Sequence, residues 1–161
     1  MSVHKTLETL LQTREALREQ GKKVVFTNGV FDLLHRGHVD YLAAARQCGD
    51  CLIVGINDDA SVRRLKGEKR PIVPQQDRCA IIAALRAVDH VILFSEDTPE
   101  NLIRALRPDV LVKGADYQIH EIVGHDIVQS YGGSVERIRL TQGRATTNLI
   151  DIILQRYGVE E

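Results

Sequence analysis

The stretch TNGVFDLLHRGH, residues 27–38, follows directly on the apolar run KVVF and carries two histidines, His35 and His38, with a glycine between them. An apolar run that leads into a glycine-containing turn predicts a strand that ends at that turn. The segment from about 37 to 48 has helical spacing, so the histidines are predicted to lie at a helix N-terminus. The free N–H groups there attract phosphates, to which histidines donate hydrogen bonds. Two surface histidines that merely cap a helix are the alternative that this stretch alone leaves open.

Apolar runs and helical segments alternate along the chain. Strands are predicted over 23–28, 51–57, 90–94, 109–114 and 134–140, and later helices over 77–88, 99–106, 123–133 and 146–157. The run CLIVGIN is apolar throughout, which is typical of a parallel strand buried on both faces. This alternation predicts an α/β fold, a Rossmann-like open five-stranded parallel sheet with helices on both faces.

We predict a single domain over 1–161, in which an N-terminal helix within 1–21 precedes a Rossmann-like core over 23–157. A leucine stripe on the first helix favours a homo-oligomer; it consists of Leu7, Leu10, Leu11 and Leu17. Helical spacing also predicts inward-facing residues, which are Tyr41, Leu42 and Ala45 in one helix and Leu149, Ile150, Ile153 and Leu154 in the last.

Composition excludes several classes of partner. The formal net charge of −1 gives no overall field that would favour nucleic acid or an anionic membrane. No apolar run approaches the length of a bilayer span, and the N-terminus lacks the pattern of a signal peptide. We therefore expect a cytoplasmic protein that binds small molecules, with no nucleic-acid or membrane partner.

Cys48 and Cys51 form a CxxC, which could indicate a redox pair or half of a zinc site. The pair is predicted at the end of a helix, where the dipole disfavours a thiolate, and no second CxxC completes a zinc site. We expect these two cysteines to be small buried apolar residues.

Candidate ligand-binding residues follow three predicted strands, in segments 28–38, 113–116 and 143–147. The carboxyl ends of parallel strands share one edge of a sheet, and ligands bind there where the strand order reverses. We therefore expect these segments to converge on one site. Neither of the two commonest nucleotide-binding glycine motifs occurs after the first strand.

The segment VKGADY, residues 112–117, contains Gly114, which allows a ligand to approach the backbone closely. Asp116 is predicted to accept a hydrogen bond from a ribose hydroxyl or to hold the water of a metal ion. A plain turn aspartate is the alternative.

In TQGRATTN, residues 141–148, Gly143 turns the chain, and Thr146 and Thr147 stand at a helix start. Their hydroxyls and the N–H groups behind them are predicted to hold a phosphate, with charge-assisted bonds from Arg144. An ordinary N-cap is the alternative.

The segment LKGEKRPIVPQQ, residues 65–76, is predicted to be a mobile loop that carries Lys66, Lys69 and Arg70. Charge runs are usually solvated surface. A lysine on a loop above a cleft can instead close over a polyphosphate.

Together these motifs resemble the HxGH nucleotidylyltransferase superfamily, over residues 23 to about 155. The resemblance rests on TNGVFDLLHRGH, RLKGEKRPI, QDR before AALRAVDHVILF, VLVKGADY and GRATTN. The sequence is most similar to single-function adenylyltransferases of D-glycero-β-D-manno-heptose 1-phosphate, which make the ADP-heptose precursor of bacterial lipopolysaccharide. The resemblance implies the nucleotidylyltransferase fold, ATP as co-substrate, Mg²⁺, and heptose 1-phosphate as acceptor.

The resemblance also implies roles for particular residues. His35 and His38 match the histidines that bind the ATP phosphates and stabilise charge at the transferring phosphorus. Lys66 matches a catalytic lysine of the mobile loop, and Arg78 matches an arginine that holds the leaving phosphates. No protein ligands for the metal are implied. Nucleotide-binding positions carried over from the superfamily are Asn28, Gly29, Val30, Phe31, Lys113, Gly114, Asp116, Gly143, Arg144, Thr146 and Thr147.

Two departures and two alternatives accompany this interpretation. Ala145 stands where relatives often carry serine, and Arg144 stands where they often carry a small or apolar residue. A glycerol-3-phosphate cytidylyltransferase shares HxGH, the lysine loop and the size. A non-catalytic nucleotide-binding module is the alternative from another class, but binding alone does not require His35, His38 and Lys66 together.

Overall fold

The computed structural model describes residues 4–139 and 145–158. Five parallel strands form one sheet in the order β3-β2-β1-β4-β5. The strands are β1 Val24–Gly29, β2 Cys51–Asn57, β3 His90–Phe94, β4 Val110–Gly114 and β5 Ser134–Ile138. The chain proceeds outward from β1 to β3 and then returns to the other side of β1. The strand order therefore reverses between β1 and β4, where Val25 pairs with Val110 and Phe26 with Leu111.

Seven helices and one short 3₁₀ turn accompany the sheet in the described residues. They are α1 Leu7–Glu19, α2 Arg36–Arg46, α3 Asp59–Lys66, α4 Gln75–Ala83, α5 Glu100–Leu106, α6 His125–Ser130 and α7 Thr146–Tyr157, with the 3₁₀ turn at Ile119–Glu121. The predicted fold class is confirmed.

Two apolar layers cover the two faces of the sheet, because successive strand side chains point to opposite faces. Val25 packs on one face with Leu42 of α2 and Ile82 of α4. Val24 packs on the other face with Ile103 of α5. Tyr41, Leu42 and Ala45 are all buried, so the predicted inner face of α2 is confirmed.

The last helix differs from its prediction. Ile153 is 50% exposed and Leu154 62% exposed, so the expectation that they face inward is wrong for the described structure. On α1, Leu10 is fully buried, whereas Leu7 and Leu11 are 40% and 39% exposed. Spacing identifies an apolar helix face, but it does not say which element, if any, covers that face.

The cysteines behave largely as predicted. Cys51 and Cys79 are buried and Cys48 is partly buried, and all three are free. Burial raises the pKa of the Cys51 thiol to about 11, so a thiolate is disfavoured there. Within residues 4–139 and 145–158, no helix is both long and apolar enough to cross a membrane.

Candidate active site

A cavity of about 400 Å³ lies at the carboxyl ends of β1 and β4, where the strand order reverses. This is the place at which open α/β sheets bind ligands, and the volume suits a small-molecule site. We call it the switch-point cavity. It is lined by Asn28, Gly29, Val30, Phe31, His35, Gly37, His38, Tyr41, Lys66, Lys113, Gly114, Asp116, Tyr117, Ala145 and Thr146.

A second cavity of about 520 Å³ adjoins the first and extends over β2 toward the end of β3. We call it the side cavity. Its own walls include Asp32, Asn57, Leu65, Arg70, Asp97 and Thr147. Residues that line both cavities are Asn28, Gly29, Val30, Phe31, His38, Lys66, Lys113, Tyr117 and Thr146. Three of these, His38, Lys66 and Lys113, carry imidazole or ammonium nitrogens that can donate hydrogen bonds to anions.

The two histidines stack on each other, with ring centroids 3.8 Å apart. The backbone N–H of His35 donates to Nδ1 of His38 at 3.4 Å, which assigns the His38 proton to Nε2. Burial and the neighbouring His35 lower the pKa of His38 to about 4. His38 is therefore neutral at pH 7 and offers an Nε2–H donor.

The loop that leads from β1 into α2, at whose start these histidines lie, is strained. Phe31 and Leu33 have φ of 52° and 59°, in the left-handed region that bulky side chains rarely adopt. The Phe31 ring is buried and meets the His38 ring edge to face, with centroids 5.3 Å apart. Such a backbone conformation persists only where surrounding contacts stabilise it. Here it directs the N-terminus of α2 toward the switch-point cavity.

Lys113 lies at the end of β4 and lines both cavities. Its Nζ donates to Oδ1 of Asn28, across the gap between β4 and β1. Among the described residues it has no carboxylate partner within salt-bridge distance. Burial lowers the pKa of Lys113 to about 8, because a buried ammonium without a counter-ion is disfavoured.

Arg78 does not line either cavity, although the resemblance implies a contact with the leaving phosphates. Its side chain is fully buried. The guanidinium donates to Oδ1 of Asp59 at 2.7 Å, to the carbonyl of Val30 at 2.6 Å and to the carbonyl of Val73 at 2.9 Å. The structure therefore gives Arg78 an internal role, which holds the loop between β1 and α2 in place.

The segment predicted as a mobile loop is held by hydrogen bonds over most of its length. Lys66 is the last residue of α3. Gly67 follows with φ of 93°, a conformation suited to glycine, and its carbonyl accepts the N–H of Arg70 at 3.0 Å. Ile72 and Val73 then donate to the carboxylate of Asp32, before α4 begins.

Gly114, Asp116 and Thr146 line the switch-point cavity as the sequence predicts, and Thr147 lines the side cavity. Thr146 Oγ1 donates to the carbonyl of Asp32 at 2.7 Å, so this hydroxyl joins the start of α7 to the loop between β1 and α2. Gly143 and Arg144 lie outside the described residues. No group of three or more His, Cys, Asp or Glu side chains suited to a metal occurs within the described part of the chain.

Several lining residues were not assigned a role from sequence. Asn57 ends β2 and Tyr117 lies three residues after β4, and only the assembled sheet edge shows that they meet the cavities. Tyr41 was predicted as core, and it is buried, but its hydroxyl lies 2.8 Å from Thr27 Oγ1 beneath the site. A carboxylate among apolar neighbours, as Asp32 is in VFDLL, indicates a buried partner. The sequence does not identify that partner, because Arg70, Ile72 and Val73 meet Asp32 only in the folded chain.

The comparisons agree with this geometry. The cytidylyltransferase-like family matches residues 26–144. The bifunctional protein HldE of Geobacter sulfurreducens is 56% identical over 156 residues, and that of Syntrophotalea carbinolica is 57% identical over 150 residues. These alignments cover 97% and 93% of this chain but only 32% and 31% of the relatives, so the chain spans about a third of their length.

A solved structure agrees as well. The lipopolysaccharide core biosynthesis protein from Thermoplasma volcanium GSS1 matches with a TM-score of 0.63 and 31% identity, over 77% of this chain and 100% of that one. The predicted nucleotidyltransferase class is thereby confirmed. The chain belongs to the cytidylyltransferase-like family of nucleotidyltransferases.

Proposed function

We propose that this protein transfers AMP from ATP to D-glycero-β-D-manno-heptose 1-phosphate, giving ADP-heptose and pyrophosphate. The observation that carries the proposal is the pair of cavities with a shared wall of His38, Lys66 and Lys113. A reaction that joins two phosphorylated substrates needs two adjoining spaces and cationic or N–H donors where the phosphates meet. The name of the Thermoplasma relative, a lipopolysaccharide core biosynthesis protein, supports a sugar acceptor.

In this reaction a phosphate oxygen of the sugar attacks the α-phosphorus of ATP. The bond from that phosphorus to the bridging oxygen of the β-phosphate breaks, and pyrophosphate leaves with the electron pair. The nucleophile needs no general base, since the second pKa of a phosphate monoester is about 6. Catalysis therefore consists of positioning and charge stabilisation.

His35 and His38 would stabilise charge that grows on the phosphoryl oxygens. In the free protein the lowered pKa of His38 leaves it a neutral N–H donor at pH 7, ready to bond a phosphoryl oxygen. The N-terminus of α2 adds backbone N–H groups and its dipole. Lys66 reaches the phosphates from the end of α3.

Mg²⁺ would arrive with the polyphosphate and keep most of its water, so it needs few protein ligands. Asp116 is the acidic side chain among the described residues that line the switch-point cavity, and it would hold a water of the ion or a ribose hydroxyl. One carboxylate beside a polyphosphate site fits this mode of binding. The ion would neutralise charge on the phosphates.

We further propose one nucleotidylyltransferase domain, a cytoplasmic location and a homo-oligomer. A single sheet with two apolar layers supports the first. The proposed substrates, ATP and a sugar phosphate, support the second. Exposed apolar side chains on α1 and α7 support the third, among them Leu7, Leu11, Ile153 and Leu154.

A second candidate is cytidylyl transfer from CTP to glycerol 3-phosphate, and the description of the matched family, cytidylyltransferase-like, favours CTP as the nucleotide. The test is pyrophosphate release from ATP and from CTP with heptose 1-phosphate, glycerol 3-phosphate and pantetheine phosphate. Turnover only with ATP and heptose 1-phosphate is expected. Preference for CTP and glycerol 3-phosphate would overturn the substrates, and tight ATP binding without turnover on any acceptor would favour a non-catalytic module.

Lys113 predicts a proton linkage of nucleotide binding. At pH 8.5 its lowered pKa leaves much of it neutral in the free protein, and a bound polyphosphate should raise that pKa and draw in a proton. Calorimetry of ATP binding in buffers of different ionisation enthalpy should show uptake of a fraction of one proton at pH 8.5. Lys113→Met should abolish this uptake, whereas Lys69→Met, on the exposed turn, should keep it. Equal uptake in Lys113→Met would assign the proton to another group.

A further inference from the structure

The loop between β1 and α2 contains a buried carboxylate that the reaction does not use directly. The side chain of Asp32 is fully buried, and its partner Arg70 is 16% exposed. Nε of Arg70 donates to Oδ2 of Asp32 at 2.5 Å. The backbone N–H groups of Ile72 and Val73 add bonds of 3.0 Å and 2.9 Å to the same carboxylate. The N–H of Ile72 also lies 3.1 Å from Oδ1, so three donors make four contacts with this buried carboxylate.

These bonds fix the far end of the segment that carries Lys66. The turn from Gly67 to Arg70 is closed by its own hydrogen bond of 3.0 Å. Only residues 67–69 therefore separate Lys66 from the residue that Asp32 holds. A displacement of Arg70 would therefore also displace Lys66, because the hydrogen-bonded turn between them has little conformational freedom.

The N-terminal end of the segment 59–73, which carries Lys66, is also held by the loop between β1 and α2. Arg78 joins Asp59, the first residue of α3, to the carbonyl of Val30. The N–H of Asp59 also donates to Oε1 of Gln75 at 2.8 Å. Val30 and Asp32 thus hold both ends of the stretch 59–73, and both belong to the loop that carries His35 and His38.

The charge of Asp32 is maintained by its surroundings. Burial by itself would raise the pKa of this carboxyl, but the backbone bonds from Ile72 and Val73 and the Arg70 guanidinium outweigh burial and hold its pKa below the ordinary value. Asp32 is therefore ionised at the pH of turnover.

We propose that Asp32 is a positioning residue, whose buried carboxylate sets the place of Lys66 relative to His35 and His38 through Arg70 and the 67–70 turn. The inference rests on the proposed function, in that Lys66 contacts the polyphosphate. Asp32 itself touches no reacting atom.

The test is a double-mutant cycle with Asp32→Asn and Lys66→Met, measured as kcat and KM for ATP in pyrophosphate release. Misplaced catalytic groups cost up to about 100-fold, so Asp32→Asn should lower kcat about 10- to 100-fold when Lys66 is present. In the Lys66→Met background the same change should cost less than about twofold, because coupled residues are non-additive. Equal losses in both backgrounds would overturn the inference, since a general effect on folding does not depend on Lys66.

Asp40→Asn is the matched control, because Asp40 pairs with Arg36 on the exposed side of α2 and lines neither cavity. It should leave kcat within about twofold in either background. If Asp32→Asn does not fold, Arg70→Lys replaces it in the cycle, since lysine keeps a cation beside the buried carboxylate but lacks the Nε–H that bonds it.

The cycle also has a readout that does not depend on the acceptor. The dissociation constant for ATP, measured by calorimetry, should show the same dependence on Lys66. Absence of turnover in the unmodified protein would count against the proposed function, and additive dissociation constants would count against the role of Asp32. The two failures are therefore distinguishable.

Discussion

His35→Ala is expected to lower kcat about 100-fold or more, which is the usual loss when a donor to a transition-state oxygen is removed. The imidazole of His35 stacks on His38 at 3.8 Å and lines the switch-point cavity. Its loss removes one donor and also removes the ring on which His38 is stacked. The measurement is kcat and KM for ATP under saturating acceptor.

The control for this prediction is His120→Ala, because His120 is an exposed residue of the 3₁₀ turn and lines neither cavity. It should leave kcat within about twofold. His35→Ala should also unfold at a similar temperature to the unmodified protein. Retained turnover in a folded His35→Ala protein would refute the role of this histidine.

Arg78→Met is expected to lower the free energy of unfolding by about 3 to 5 kcal/mol, the range found when one member of a buried ion pair is removed. The guanidinium is fully buried, and its loss leaves Asp59 without its cation. The carbonyls of Val30 and Val73 also lose their donors. The measurement is urea unfolding.

Arg104→Met provides the comparison, because Arg104 is 58% exposed and pairs with Glu100 one turn away on α5. Such surface pairs contribute less than about 1 kcal/mol. Adding Asp59→Asn to Arg78→Met should restore part of the lost stability, because the uncompensated charge is removed. A loss below about 1 kcal/mol for Arg78→Met, with turnover abolished, would instead return Arg78 to the catalytic role that the sequence suggests.

The sequence predicted the sheet because its strands are short apolar runs between turns. Runs of this length are typical of strands that are buried on both faces and are too short for most helices. Val24 and Val25 show how local this information is, since each residue's face follows from its parity along the strand. The convergence of His35, Lys113 and Thr146 was also predictable, because the ends of parallel strands share one edge.

The roles of the charged residues were less predictable. Lys66 precedes the turn-rich segment 67–74 and Arg78 follows it, and the resemblance gives both a role at the phosphates. Yet Arg78 is fully buried, whereas Lys66 lines both cavities. Burial of a long charged side chain depends on whether partners meet it in space. Asp59, Val30 and Val73 are 19, 48 and 5 residues away from Arg78 in sequence.

The sequence by itself determined the alternation of strands and helices, the edge of the sheet at which the site lies, and the chemical types gathered there. These depend on periodicity and on motifs within single segments. Only the tertiary structure decided that His38 is neutral in the free protein and that Arg78 is internal. The tertiary structure also decided that Ile153 and Leu154 are exposed, and that Asp32 joins the loop between β1 and α2 to residues 70–73. Each of these depends on burial and on bonds between distant residues, which arise only once the chain is folded.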